Sequence, residues 1–370
     1  MYTEKKYINK SLLISKILRY FMPDFRVVNL SNQMNMKKYL FFPALFALAT
    51  LCCTNTYAQQ EAQFSHNMFN ILSYNPAFAG SNGEICMNLL ARQQWMGFAE
   101  TNPDGESYSV APQTLLFSLD AAINPIRGGL GAVVYKDKLG HEDNIGVKFG
   151  YAYRRTMGPG QASIGISAGF LNKKIDYAGF FPVDPGDPLL SANGIESDMI
   201  FDLSFGLFYK VPGQYYGGIS SSQLLQSESD FSSATPLASP QLKRHYYLVG
   251  GYQYTIPSDP SFELWPSIFI KTDFVSAQYD INCLVMWNQQ FWGGLSYRPV
   301  DALVFLAGAR PLLNSTSNVG APLGVGISYD ITTSAMGQGR SHGSVEIFLN
   351  YCFKIVIPET ISSYKNVRYL

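Results

Sequence analysis

Apolar and polar residues alternate along most of this chain from about residue 84 onward. That is the period of β-strands whose two faces meet different surroundings. Between Asp143 and Arg155, Ile145, Val147, Phe149, Tyr151 and Tyr153 face one way, and Asn144, Gly146, Lys148, Gly150, Ala152 and Arg154 face the other. The same rhythm returns in Ala162–Lys173, Phe201–Lys210, Leu323–Asp330 and Val345–Phe353. It predicts fourteen strands, near 84–95, 108–121, 128–136, 143–155, 162–174, 200–211, 214–221, 244–256, 262–274, 278–288, 291–298, 302–310, 322–331 and 343–354. Many reach about ten residues, the length a tilted strand needs to cross a bilayer.

The connections carry a second pattern. If the first strand rises from the periplasm, the even connections are short turns: Ile123–Arg127, Met157–Gln161, Pro212–Gly213, Pro257–Ser261 and Gln289–Gln290. The long polar connections Asp176–Met199 and Ser222–Lys243 are odd. Short periplasmic turns and longer external loops are the habit of outer-membrane barrels. Pro311–Ala321 departs from it, being long where a short turn is expected. A sheet in lipid must close on itself to leave no unpaired edge. Its apolar row then faces lipid, and its Gly, Ser, Asn and charged row faces the lumen. A soluble sandwich with the apolar row against a core shows the same alternation, so alternation alone leaves both readings open. The expected fold is all-β: a transmembrane antiparallel outer-membrane β-barrel of about 14 strands over residues 84–354, with a tail over 355–370.

Composition sharpens this picture. Charged residues make up 15% of the chain and aromatics 14%, with 24 Tyr and 25 Phe. Soluble domains carry about a quarter charged residues, so one face is expected against an apolar medium, here outer-membrane lipid. Lys+Arg and Asp+Glu balance at 27 each, which leaves no basic excess for nucleic acid as a partner. Met36-Lys37-Lys38, the apolar run Tyr39–Leu51 and the small-x-small exit Thr56-Tyr57-Ala58 read as a signal peptide cleaved near Ala58. Residues 1–58 are thus an upstream extension plus signal peptide, and the apolar run is too short for a membrane-crossing helix. The expected location is the outer membrane of a Gram-negative cell. Beyond Ala58 there are three cysteines, Cys86, Cys283 and Cys352. An odd number allows at most one bridge, and all three sit in predicted strands, where they read as free small hydrophobes.

Candidate chemistry is sparse. Gly165-Ile166-Ser167-Ala168-Gly169 matches a nucleophile pattern that needs a strand, a sharp turn and a helix. Here the alternation runs straight through it, so Ser167 reads as one more inward residue. His66, His141, His245 and His342 show no metal-ligand spacing. Asp184-Pro-Gly-Asp187 with Glu196 and Asp198 lacks the dense ligand alternation of a calcium loop. No cofactor, metal or catalytic set is expected. The inward charges (Arg92, Lys148, Arg154, Asp202, Lys210, Lys271, Asp273, Arg298, Asp330 and Glu346) are mixed in sign, which suits ion pairs across a lumen.

One stretch stands outside the strand pattern. Gln63 to Gly80 sets Phe64, Met68, Phe69 and Leu72 among amides and closes with Asn75-Pro76 and Gly80. It reads as a short helix with apolar knobs, stopped by Asn75-Pro76. Residues 59–83 form either a plug in the lumen or a strap beneath it. Gln63-Phe64-Ser65, Met68-Phe69-Asn70 and Asn75-Pro76-Ala77-Phe78-Ala79-Gly80 resemble the opening of PorP/SprF-family proteins. Arg92, Gln94, Trp95 and Gly97 within Ala91–Gly97 resemble that family's next landmark, and Ala111-Pro112-Gln113-Thr114 and Gly343–Phe353 are also similar. Ile71-Leu72 departs from the family, which often has a Pro there. The resemblance implies a non-enzymatic outer-membrane component of the type IX secretion system. It further implies partners among the secretion machinery and secreted surface adhesins, with a role in secretion, surface attachment or gliding motility. These thirteen motif residues, Gln63, Phe64, Ser65, Met68, Phe69, Asn70, Asn75, Pro76, Gly80, Arg92, Gln94, Trp95 and Gly97, are the candidates for partner binding. The alternative function is a channel for small solutes with an N-terminal plug.

Overall fold

A single antiparallel sheet wraps round until its last strand pairs with its first. In the computed structural model, residues 61–353 are described, apart from 103, 181–193, 232–239, 300, 311–322 and 335–339. The strands of the wall are β1 (Ile85–Gln93), β2 (Gln113–Ile123), β3 (Gly128–Leu139), β4 (Glu142–Met157), β5 (Gly160–Asp176), β6 (Ile195–Val211) and β7 (Tyr215–Ser222). They continue as β8 (His245–Tyr252), β9 (Phe262–Thr272), β10 (Ala277–Trp287), β11 (Phe291–Arg298), β12 (Ala302–Ala309), β13 (Leu323–Thr332) and β14 (Ser344–Phe353). Each pairs with its neighbours in sequence, and β1 closes on β14 with Arg92 opposite Glu346 and Cys86 opposite Cys352. The result is a closed fourteen-stranded barrel. Closure satisfies the backbone groups that an edge would leave bare.

The alternation points outward as expected. Phe149, Ile166 and Phe170 are exposed on the outer wall, while Arg298, Asp330 and Glu346 of neighbouring rows are buried inside. Among the described residues no helix is long and apolar enough to cross a membrane, which says nothing of a barrel that crosses with strands. The inward row is less polar than the sequence pattern implies. Leu90, Leu116, Leu284, Trp292, Val304 and Phe348 are buried on it. An inward apolar residue between two outward ones breaks no visible rule in the sequence, because alternation is then hidden in a continuous apolar run.

Several boundaries move. The expected strand 108–121 starts at Gln113, because Ser107–Ser109 instead pairs with Ala99–Thr101 in a separate small hairpin. Pro112, which has no N–H to give a ladder, lies just ahead of the strand. Glu196 and Asp198 belong to β6 rather than to a loop, and Asp273 lies in the β9–β10 turn, where its carboxylate accepts from the Val275 and Ser276 N–H groups. The reading of three free cysteines is corrected: Cys86 and Cys352 form a disulfide across the β1–β14 seam and Cys283 alone is free. Strand position made them look alike, and only the closing register sets two of them side by side. The acidic loop Asp184–Asp187, the middles of both long connections, Pro311–Ala321, the signal peptide and the tail lie outside the described residues.

Candidate functional site

The barrel's interior is the place where sequence, packing and charge converge. Glu61–Gly83 runs inside it as three single 3-10 turns, Asn67–Phe69, Ile71–Ser73 and Pro76–Phe78, in place of the one short helix expected. Asn75 does not only end a turn. Its side chain accepts from the Ala77 N–H at 3.0 Å and Pro76 takes the first position of the next turn, the pairing that favours a helical start. The apolar knobs do not share one face. Leu72 packs with Leu90, Leu116 and Phe348, Tyr74 with Tyr247 and Phe269, and Met68 with Leu284 and Trp292. Phe69 lies between walls, its ring centroid 5.3 Å from Phe348 and 5.4 Å from Trp292. Separate turns let neighbouring side chains reach opposite sides of the lumen, which a single helix face could not do.

Near the ends of the strands that carry the long connections, the segment is held by charge. Glu346 accepts from the Ser65 and His66 backbone N–H groups, both at 2.8 Å, and faces His66 Nδ1 at 2.7 Å. Arg92 donates to Ser65 Oγ at 2.8 Å and pairs with Asp330 at 2.8 Å and Glu346 at 3.4 Å. The Ser65 hydroxyl itself donates to Asp330 at 2.8 Å. Arg298 pairs with Asp280 at 2.7 Å and with Asp330 at 3.5 Å, and Asn67 donates to Asp280 at 3.1 Å. Arg92, Arg298, Asp280, Asp330 and Glu346 are all buried. Charges removed from water are tolerated only when paired and hydrogen-bonded. Two guanidinium groups and three carboxylates meet that condition by enclosing Ser65-His66-Asn67. At the same level Gln63 donates to Asp301 at 3.1 Å, and Gln94 reaches the Gln63 side-chain oxygen at 3.5 Å.

Toward the short turns the segment is held by shape. The backbone of Ala77–Gly80 lies so close to the wall that a Cβ at Gly129 or Gly165 would overlap the backbone of Ala79 or Ala77, and one at Gly206 would overlap the Asn75 side chain. Gly165 belongs to the Gly-x-Ser-x-Gly pattern, which is continuous strand within β5. Its glycine makes room for the segment and its Ser167 is a buried wall residue. Gly80, with φ +68°, donates its N–H to Asp120 at 2.9 Å, and Arg154 donates to the Gly80 carbonyl. Asn75 also donates to the Leu207 carbonyl at 3.1 Å. Below the segment at this mouth is a cavity of about 430 Å³, roofed by Met68, Phe69, Ile71 and Phe78.

The structure thus brings Gln63, Phe64, Ser65, Met68, Phe69, Asn70, Asn75, Pro76, Gly80 and Arg92 together inside the barrel, with Gln94 touching them at the rim. Trp95 and Gly97 stand apart, on the connection after β1. There Met96 donates to the Gly343 carbonyl at 2.8 Å and accepts from the His342 N–H at 2.7 Å. Sequence reading missed His66, Asn67 and Asp280 as members of the charged cluster. A histidine and an asparagine embedded in the motif were the available signal. Among the described residues, one trio with metal-ligand atoms comes together, Glu84, Cys86 and Cys352, and two of its members are joined in the disulfide.

A family model described as "Type IX secretion system membrane protein PorP/SprF" matches residues 56–351. No curated protein matches at a significant level. Three solved structures resemble the chain at low TM-score. A Pseudomonas aeruginosa FadL homologue gives 0.42 at 9% identity, covering 76% of this chain and 92% of its own. The TodX deltaS2S3 mutant monoaromatic hydrocarbon channel gives 0.44 at 10%, covering 77% and 94%. The CymD monoaromatic hydrocarbon channel gives 0.42 at 13%, covering 77% and 98%.

Proposed function

This chain belongs to the PorP/SprF family of type IX secretion system membrane proteins, and from that premise we propose that it serves as a non-enzymatic, protein-binding outer-membrane barrel that helps secreted partners reach or stay on the cell surface. The family is one of secretion components rather than an enzyme class, and an outer-membrane location fits both family and fold. The partners proposed are secretion-machinery proteins on the periplasmic side and a secreted surface adhesin on the outer side, in a Bacteroidota-like cell, with gliding as one use of the adhesin. Cleavage near Ala58 would free the segment that occupies the lumen.

One observation carries this reading. The chain's own segment crosses the lumen and spends the buried charges of the wall on itself. That leaves the rims for recognition. The experiment is affinity purification from outer membranes with mass spectrometry, comparing the intact chain with one in which 181–193 and 232–239 are replaced by short Gly-Ser turns. Secretion components should co-purify with both, and a surface protein only with the intact chain. Recovery of no secretion component overturns the reading, and an unchanged partner set overturns the role of the long connections.

The second reading, a small-solute channel with the segment as plug, is favoured by the cavity beneath Met68 and Phe69. It requires solute flux into liposomes that rises when Glu346→Ala loosens the segment.

A further inference from the structure

Where the segment begins and ends is as informative as what holds it. Gly80 and Asn82 sit at the mouth of the short turns, against Asp120 and Lys210, and β1 starts there. Glu61 sits at the other mouth. Its carbonyl accepts from Lys271 at 3.0 Å, one residue before the end of β9 at Thr272. Its carboxylate accepts from Ser222, the last residue of β7, at 3.4 Å and lies 3.8 Å from Lys148. Gln63 reaches Asp301, in the turn between β11 and β12. Lys271, Ser222 and Asp301 all belong to the end that carries the odd connections. Chain length permits the crossing: at about 2.0 Å rise per residue in 3-10 turns, twenty residues cover roughly 40 Å. A ten-residue strand covers about 33 Å.

We infer that the chain threads its own barrel, so that its N-terminal end is displayed with the long connections, on the side opposite the mouth where β1 begins. Anything that pulls on that end pulls directly on the clamp of Ser65 and His66 by Glu346, because three residues separate Glu61 from Ser65. This inference uses the family reading only to say which mouth faces outward. Which mouth holds the end rests on the contacts above.

The experiment places one short epitope, in separate full-length chains, ahead of Glu61, in the 273–276 turn and in the 288–290 turn. Antibody is added to intact cells and to lysed cells. We expect the epitope ahead of Glu61 to be labelled on intact cells to the same extent as that at 273–276, with 288–290 labelled only after lysis. Labelling of the N-terminal epitope in step with 288–290 overturns the inference, and so does its silence in both preparations. If 288–290 labels on intact cells and 273–276 does not, the assumed membrane orientation fails. The inference is then still decided by which turn the N-terminal epitope follows. Should the insertion prevent barrel folding, seen as loss of heat-modifiable gel mobility, Ala62→Cys in a Cys283→Ala background gives the same readout with a membrane-impermeant thiol reagent.

Discussion

The two halves of the interior segment are held in opposite ways. Ser65–Asn67 is gripped by five buried charged side chains, whose bonds are directional and depend on every member being present. Ala77–Gly80 is gripped chiefly by closeness, at Gly129 and Gly165 where no side chain stands between backbone and backbone, with Asp120 and Arg154 bonding its last residue, Gly80. The charged half supplies identity: a different tripeptide would leave carboxylates or guanidinium groups unpaired in a dry interior. The glycine half supplies depth, since only a bare wall lets the chain approach so closely. A segment held by charge alone could shift along the lumen, and one held by shape alone could be exchanged for another apolar strand. Together they set one register of the segment against the wall.

Removing one charged partner tests the first half most severely. Glu346→Ala takes the acceptor from the Ser65 and His66 backbone N–H groups and from His66 Nδ1, leaving Arg92 with Asp330 alone, and loss of one partner from a buried pair costs about 3–5 kcal/mol. The thermal transition of the purified barrel, followed by heat-modifiable mobility, should fall accordingly. A transition equal to that of the unaltered protein would show that the cluster does not hold the segment.

Filling the groove tests the second half. Gly165→Val drives a side chain into Ala77 and should cost about 1–3 kcal/mol as overpacking. Gly293→Ala, where an added Cβ meets nothing closer than 3.8 Å, should stay within about 0.5 kcal/mol as an uncrowded control. Equal effects from the two would dissolve the distinction between groove and ordinary wall.

The smallest effect concerns the Glu61 end. Burial alone would raise the Glu61 carboxyl, but Lys148, His245 and Lys271 together with the Ser222 hydroxyl outweigh it and hold it below the usual carboxylate range. A carboxyl lowered by folding adds stability above its unfolded value and loses it as pH falls through the folded one. Acidification through that range should therefore loosen the Glu61 end by about 1 kcal/mol or less. Protease sensitivity ahead of Gln63 should rise with acid in the unaltered chain, and Glu61→Gln should flatten that rise. An unchanged pH profile in Glu61→Gln would remove Glu61 from the grip.

Much of the wall could be read from residues alone, because lipid and lumen impose a period of two on every strand. Phe149 and Lys148 declare their sides without any knowledge of the fold. The hairpin Ala99–Thr101 with Ser107–Ser109 could not be read, since a three-residue strand is too short to show a period. The cluster was half legible. Arg92, Arg298, Asp330 and Glu346 stood out as inward charges, while Asp280 went unnoticed although it alternates with Tyr279 and Ile281 of the outward row.

Local pattern by itself determined the strand count, the outward face, the balance of charge and the family signature of Gln63–Gly80, since each is a property of neighbouring residues. Tertiary structure alone decided which inward charges meet, which cysteines bridge, why Gly129, Gly165 and Gly206 are bare, and at which mouth Glu61 emerges. Those depend on residues as many as 281 positions apart, as Ser65 and Glu346 are. Only closing the sheet around the segment brings such residues within a hydrogen bond, and no local period records that closure.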